Sequence, residues 1–358
     1  MSVTKTSPSA AQGPPSWLHV PAPESRCAVV AEIAQAHDGS LGFAHAMIDA
    51  AAEAGVDAVK FQTHIADAES TPGEPWRVKF SPQDATRYDY WKRMEFTEAQ
   101  WAGLKRHAEE RGLLFLSSPF SMEAVDLLRR IGGVAAWKVA SGEITNWPML
   151  KTMTQDGVPI LLSTGMSDFD EISATVNMLR GLGAEVCVMQ CTSAYPTPPE
   201  KAGINVMQEY ARRFGTAVGY SDHSATIFPG LIAAWEGAKV IEVHLTLSRR
   251  AFGPDVVASL TVEEMAELVR GVHHVDRMRR HPVDKETLAA EMAPMRAIFM
   301  KSLMVNRDMK AGETLTEEVL VARKPGTGIS ARHHDEVVGR RLKRDVAAFT
   351  PLVEEDLA

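Results

Sequence analysis

Cysteine is scarce in this chain: Cys27, Cys187 and Cys191 are the only three among 358 residues. All three fall in β-rich runs, which argues against a disulfide scaffold and leads us to expect a reduced, cytoplasmic protein. Long apolar runs are missing too; the longest are strand-sized, so no membrane-spanning helix is expected. There is no basic excess. Lys and Arg number 38 against 46 Asp and Glu, a formal net charge of −8, so the basic face of a nucleic-acid binder is not expected. Low-complexity sequence is confined to "MSVTKTSPSAAQGPPSWLHVPAPES" (1–25), rich in Ser, Pro and Ala and without the apolar stretch of a signal peptide. It reads as a flexible tail.

What is present is a succession of β-rich runs. They are "CAVVAEI" (27–33), "DAVKFQT" (57–63), "LLFLSSP" (113–119), "AWKVAS" (136–141), "ILLSTGM" (160–166), "EVCVMQCT" (185–192), "AVGYSDH" (217–223) and "VIEVHLT" (240–246). Most are spaced by roughly 25–30 residues, the repeat of one βα unit, so the expected fold is a (β/α)8 TIM barrel over residues 26–282. The intervening helices carry their own signals. Thr97 with Gln100, and Thr261 with Glu264, have the spacing of capping boxes, and Gly112 marks a helix end. Residues 64–96 form a long polar and aromatic insertion after the second run, of the length usual for a lid or binding loop. Its Trp76, Arg77, Lys79, Arg87, Tyr88 and Tyr90 are expected to shape ligand choice. Beyond Pro282 a charged stretch (283–298) reads as a linker helix. The remainder (299–358), with turns at "KAGE" and "PGTG", reads as a small β-rich domain.

The last run poses the functional question. Glu242 and His244 lie two apart in a strand and so point to the same face, and in such a barrel chemistry sits where strands end. Polar residues gather at those ends throughout: Glu32; Lys60 and Gln62; Ser117 and Ser118; Lys138, Ser141 and Glu143; Ser163 and Thr164; Thr192, Ser193 and Tyr195; Ser221 and His223; Glu242 and His244. Taken singly, a strand lysine most often snorkels to water, a Ser or Thr caps the next helix, and a buried His is satisfied by backbone. Taken together, eight strands ending in polar groups at one rim point to an active site. Burying unpaired charge costs several kcal/mol, so such a cluster needs partners or ligands. Two lysines with several hydroxyls suit a phosphate or carboxylate, and His223 and His244 on neighbouring strands can hold a divalent metal.

The ordered segments "AEIAQAHDGS", "VKFQTH", "SSPFS", "WKVASGEITNWPML", "LSTGMS", "CTSAYPTP", "GYSDHS", "EVHLTLSRRAFGPD" and "ARKPGTG" resemble the motifs of the sialic acid synthase family, whose members make N-acetylneuraminate and related nonulosonic acids. The tail resembles the antifreeze-like (SAF) domain that follows the barrel there. The resemblance implies condensation of phosphoenolpyruvate with an open-chain aldose, typically an N-acetylated mannosamine, with Mn or Mg as cofactor. It assigns the metal to His223 and His244, and phosphoenolpyruvate to Lys60, Ser118, Lys138, Ser141, Ser193 and Ser221. Glu32, Gln62, Tyr195 and Asp255 correspond to positions that hold the sugar or orient the reacting ends. Glu242 is the candidate for proton handling or for orienting metal-bound water, and Glu32 the runner-up. The resemblance also implies a homodimer in which each small domain caps the partner's barrel.

Two positions depart from the family pattern. Ala36 stands where Asn is usual, and Lys324 stands where an arginine precedes the "PG.G" turn. That arginine contacts the sugar's N-acetyl group, and a lysine lacks its planar fork, although neighbouring Arg323 is a possible substitute. An acceptor other than N-acetylmannosamine is therefore expected. The alternative is a related phosphoenolpyruvate-dependent synthase that uses a non-acetylated or shorter aldose.

Overall fold

The computed structural model describes residues 26–358, so the tail expected over 1–25 lies outside the described residues. The described chain falls into two compact units, the first ending at Arg280 and the second beginning at His281.

In the first unit eight parallel strands close into a barrel: β1 (Ala28–Ala34), β2 (Ala58–Thr63), β3 (Leu114–Pro119), β4 (Trp137–Val139), β5 (Ile160–Ser163), β6 (Val186–Cys191), β7 (Ala217–Asp222) and β8 (Val240–His244). Each begins within about one residue of a run read from the sequence, as expected when apolar β-branched stretches alternate with helices. β8 closes on β1, and Glu32 sits level with both Lys60 and His244. Inside the barrel the period of two decides what is buried. Ala28, Val30, Ala58, Leu116, Ala136, Leu161, Met189 and Val240 form an apolar cluster. Two residues further along, the same strand faces carry Glu32, Lys60, Ser118, Lys138, Ser163 and Glu242. Gly219 is required by close packing, since a Cβ there would lie 2.9 Å from the Val240 carbonyl oxygen and 3.1 Å from Met189 Cγ. The outward faces pack on the surrounding helices in a larger cluster that includes Phe61, Trp101, Trp137 and Ile241.

Both capping boxes form. Thr97 accepts from the Gln100 amide and Gln100 Oε1 accepts in return, and Thr261 and Glu264 do the same. Gly112 follows the first of these helices in the left-handed region, at φ 77°. The insertion contains two short helices, Ala66–Glu69 and Arg87–Met94. Arg93 anchors it, donating to Asp84 Oδ2 at 2.8 Å and to Asp38 Oδ1 at 2.6 Å in the loop after β1.

In the second unit the stretch expected as one linker helix is two, Lys285–Glu291 and Ala293–Phe299. Met292 ends the first and caps the second, because Pro294 has no N–H to continue the ladder and is tolerated only in a first turn. An antiparallel pair follows, β9 (Ser302–Val305) and β10 (Leu320–Arg323), over a core that includes Leu303, Val305, Leu315, Leu342 and Leu352. At "KAGE" the Glu313 amide donates to the Lys310 carbonyl. At "PGTG" the chain passes so close to its neighbour that a Cβ on Gly328 would sit 2.3 Å from the Leu352 carbonyl oxygen. No helix among the described residues is long and apolar enough to cross a membrane.

Candidate active site

At the C-terminal ends of the strands, strand alternation aims two lysines and two glutamates at one another. Lys60 Nζ lies 2.7 Å from Glu32 Oε2 and 3.7 Å from Glu242 Oε1, and Lys138 Nζ lies 3.3 Å from that same Glu242 oxygen. All four side chains are buried. Lys60 donates to Ser118 Oγ (3.2 Å), Lys138 to Ser163 Oγ (2.8 Å), and Ser221 to Glu242 Oε1 (3.3 Å). Burial alone would raise the Glu242 carboxyl, but Lys138, then Lys60 and His244, hold it well below the usual carboxylate range. Burial would likewise lower Lys60, and Glu242 and Glu32 more than offset it, so its pKa is raised. The floor of the site is thus a quartet of two lysines and two glutamates with hydroxyls at its edges.

Above the floor opens a cavity of about 620 Å³. Ser141 and Ser193 line it beside Gly165, whose amide donates to Ser141 Oγ at 3.0 Å. A Cβ on Gly165 would lie 2.6 Å from Ser193 Oγ and 3.1 Å from Ser141 Oγ, so only glycine leaves these hydroxyls room to converge. Gln62 donates to Glu32 Oε1 at 2.9 Å and is itself held by Gln35 at 2.7 Å. Gln35 also contacts His64, which stacks between Trp91 and Phe120 and pairs through Nδ1 with Glu69 at 2.6 Å.

His223 and His244 face each other with ring centroids 5.4 Å apart. His223 Nδ1 donates to the Thr192 carbonyl (2.9 Å), so Nε2 carries the lone pair, 3.1 Å from the Tyr195 hydroxyl. Burial, then His244, lowers the His223 pKa to about 3, which keeps the ring in the neutral form that binds metal. One position below His244 on the same face, Glu242 Oε2 is buried and finds no hydrogen-bond partner among the described residues. Two facing imidazoles, with the His223 Nε2 lone pair free of the backbone, fit a divalent cation that completes its shell with water or substrate. No group of three or more His, Cys, Asp or Glu converges on one point among the described residues, so the histidines would be its protein ligands.

Tyr195 stacks on His223 at 4.1 Å, and Arg77 of the insertion lies over the Tyr195 ring, 4.3 Å from its centre, and is paired with Asp255 at 3.1 Å. Trp76, Arg77, Arg87 and Tyr90 line the cavity, whereas the Tyr88 hydroxyl is turned to Asp67. Three rim candidates serve the scaffold instead. Ser117 bonds Thr63 and the Phe61 carbonyl, Thr164 the Met189 carbonyl, and Thr192 the Lys201 carbonyl. Arg323 and Lys324 belong to the second unit, where they lie over Phe349 and Phe299. Sequence reasoning did not group Ser163 with Lys138, although its place two residues after inward Leu161 puts it on the same face. Gln35, His64 and Phe120 were not singled out; they lie where strand alternation no longer tells which way a side chain turns.

A family model described as the NeuB family matches residues 47–283, and one for the SAF domain matches residues 301–358. The chain is 33% identical over 343 residues to the N,N'-diacetyllegionaminic acid synthase of Legionella pneumophila, covering 92% of this chain and 94% of that one. It is 35% identical over 301 residues to the N-acetylneuraminate-9-phosphate synthase of Homo sapiens, covering 83% of each. Among solved structures, the N-acetylneuraminic acid (sialic acid) synthetase of Leptospira borgpetersenii, in complex with citrate, superposes with a TM-score of 0.66 at 27% identity, covering 75% of this chain and 92% of that one. With the barrel, the ordered motifs and these matches in agreement, the chain belongs to the NeuB family, with a C-terminal SAF domain.

Proposed function

We propose that the protein is a nonulosonic acid synthase, which condenses phosphoenolpyruvate with an open-chain, mannosamine-like aldose and releases phosphate. The observation that carries the reading is the convergence of Lys60 and Lys138, edged by hydroxyls, on Glu242, two residues before His244 on β8, whose ring faces that of His223. Lys60, Lys138, Ser118, Ser163 and Ser221 hold the phosphate and carboxylate of the enol, and Ser141 and Ser193 close over it. Gln62, fixed between Gln35 and Glu32, and Asp255 orient the aldose so that its carbonyl carbon meets carbon 3 of the enol. Water adds at carbon 2 and phosphate departs by C–O cleavage. Glu242, with one oxygen on Lys138 and Ser221 and the other unpartnered, is placed to orient that water and take its proton; Glu32 is the second candidate. A divalent Mn or Mg held by His223 and His244 supplies, when bound, Lewis-acid polarisation of the aldehyde.

As a class this is a carbon–carbon bond-forming transferase. We further propose that it works as a homodimer in the cytoplasm, where Cys27, Cys187 and Cys191, all buried and free, stay reduced. Lys324 in place of the usual arginine keeps open an acceptor other than N-acetylmannosamine. The test is phosphate release from phosphoenolpyruvate with a panel of aldoses and Mn, with and without chelator, followed by product mass. Release that needs an aldose, stops with chelator and yields a mass equal to aldose plus pyruvate supports the reading. Aldose-independent release, or none with any sugar, ends it.

A further inference from the structure

By the period of two, Gln35 should share the outward face of β1 with Ile33, which packs against the surrounding helices. It does not. The pairing of β1 with β2 shifts register between Glu32 and Ala34, and Ala34 sits in the left-handed region at φ 46°. A residue with a side chain is uncommon there, and backbone strain of this kind gathers at functional sites. The buried Gln35 side chain meets Gln62 and His64 instead, its Nε2 lying 2.7 Å from Gln62 Oε1 and 2.7 Å from His64 Nε2. At the two ends of this chain stand carboxylates. Gln62 Nε2 donates to Glu32 Oε1 at 2.9 Å, and His64 Nδ1 lies 2.6 Å from Glu69 Oε1. Trp91 of the insertion and Phe120 clamp the His64 ring between them, at 4.1 and 4.5 Å. Trp91 is fixed in turn, its indole N–H donating to Glu74 at 3.0 Å.

We propose that Gln35 is a positioning residue, which holds Gln62 as a hydrogen-bond donor toward the aldose and ties that orientation to the insertion through His64. The inference rests on the reading given above and adds the residues that set Gln62. Carboxylates accept, so each end of the chain calls for an N–H: the Gln62 amide at Glu32, and His64 Nδ1 at Glu69. The Gln62 carbonyl oxygen and the His64 Nε2 lone pair are then both left in need of a donor. One atom with two N–H bonds satisfies both, and the Gln35 amide nitrogen is that atom. His64 Nε2 also lies 3.2 Å from Gln62 Oε1, but a proton there would face the Gln35 nitrogen, donor against donor. With its oxygen held by Gln35, Gln62 offers N–H to the cavity it lines, the group that receives a carbonyl or hydroxyl oxygen. Without Gln35 that oxygen loses its donor, and the amide swings off Glu32 to find another. Without the His64 nitrogen, half of the Gln35 amide is unmatched and its grip on Gln62 loosens.

The test measures initial rates with phosphoenolpyruvate, Mn and either N-acetylmannosamine or a diacetamido hexose, whichever the wild type turns over faster. Gln35→Met keeps the length of the side chain and removes both N–H groups. His64→Phe keeps a ring between Trp91 and Phe120 and removes both nitrogens. Gln35→Met should raise KM for the aldose about ten-fold, the loss of roughly one hydrogen bond, and leave KM for phosphoenolpyruvate within about two-fold. His64→Phe should show the same split in smaller measure. The double variant should lose no more than Gln35→Met alone, since His64 acts through Gln35. Where Gln35→Met does not fold, Gln35→Glu, of the same shape but without N–H, takes its place. A second readout needs no turnover: long-range proton–nitrogen correlation spectra of the wild type should show His64 carrying its proton on Nδ1 and none on Nε2. Additive losses, KM values rising together for both substrates, or a proton on Nε2 each overturn the inference and leave the synthase reading standing. No turnover of either sugar by the wild type counts against the synthase reading itself, and the inference goes with it.

Discussion

Lys138 and Glu242 show how much one buried contact carries. Each is almost fully buried, and each would be costly without the other. Replacing Lys138 with Met leaves Glu242 with the more distant Lys60 alone, so we expect a stability loss of about 3 kcal/mol and a KM for phosphoenolpyruvate raised more than ten-fold. Chemical denaturation and initial rates check both. Glu242→Gln preserves shape but abolishes the charge, and kcat should fall about 100-fold or more, the contribution usual for a positioned acid or base. The pH dependence follows from the sign of the shift. The folded-state pKa of Glu242 is depressed, so its contribution to stability is full above the unfolded value, about 4.3, and is lost as pH falls toward about 2. The wild-type denaturation midpoint should therefore drop between pH 5 and pH 3 more steeply than that of the Gln variant. Parallel profiles would remove Glu242 from the account.

Among the elements, the strands act as rulers and the loops as adaptors. Because alternate residues face inward, Ala58, Lys60 and Gln62 descend one wall as apolar floor, charge and rim, and Val240, Glu242 and His244 repeat the order on β8. Gly165, just beyond β5, is where the backbone itself makes room. Gly165→Ala would push Ser193 and Ser141 aside, so it should raise the KM for phosphoenolpyruvate at least ten-fold while circular dichroism stays unchanged. One anchor of the insertion is Arg93, whose guanidinium joins Asp84 of the insertion to Asp38 after β1. Arg93→Ala should speed hydrogen exchange across residues 70–96 and raise the KM for the aldose more than that for phosphoenolpyruvate. Equal effects on both substrates would mean that the insertion does not serve acceptor binding.

For the whole molecule, the barrel interior below the charged layer is an apolar plug that includes Ala28, Val30, Leu116, Leu161, Met189 and Val240, and its packing does not depend on the histidines of the site. Chelation should thus abolish turnover while the thermal midpoint shifts by only a few degrees, and added Mn should restore activity. A cooperative collapse on chelation would instead make the metal structural. The eight strands, the residues that share a strand face and the capping boxes were legible in the sequence because each depends on spacing along a single element: period two for Lys60 and Gln62, or three residues from Thr97 to Gln100. The same logic placed Glu242 and His244 on one face. It could not tell Ser118 from Ser117 as a partner for Lys60 until the strand's facing was known. Nor could it find Gln35, His64 or Phe120, which reach the cavity from beyond the strand ends, where the course of the chain is set by contacts distant in sequence, such as Arg77 with Asp255 and Arg93 with Asp38. Local periodicity therefore settled which residues could share a wall of the barrel. Closure of the barrel and the path of the loops, both products of long-range packing, decided which of them meet.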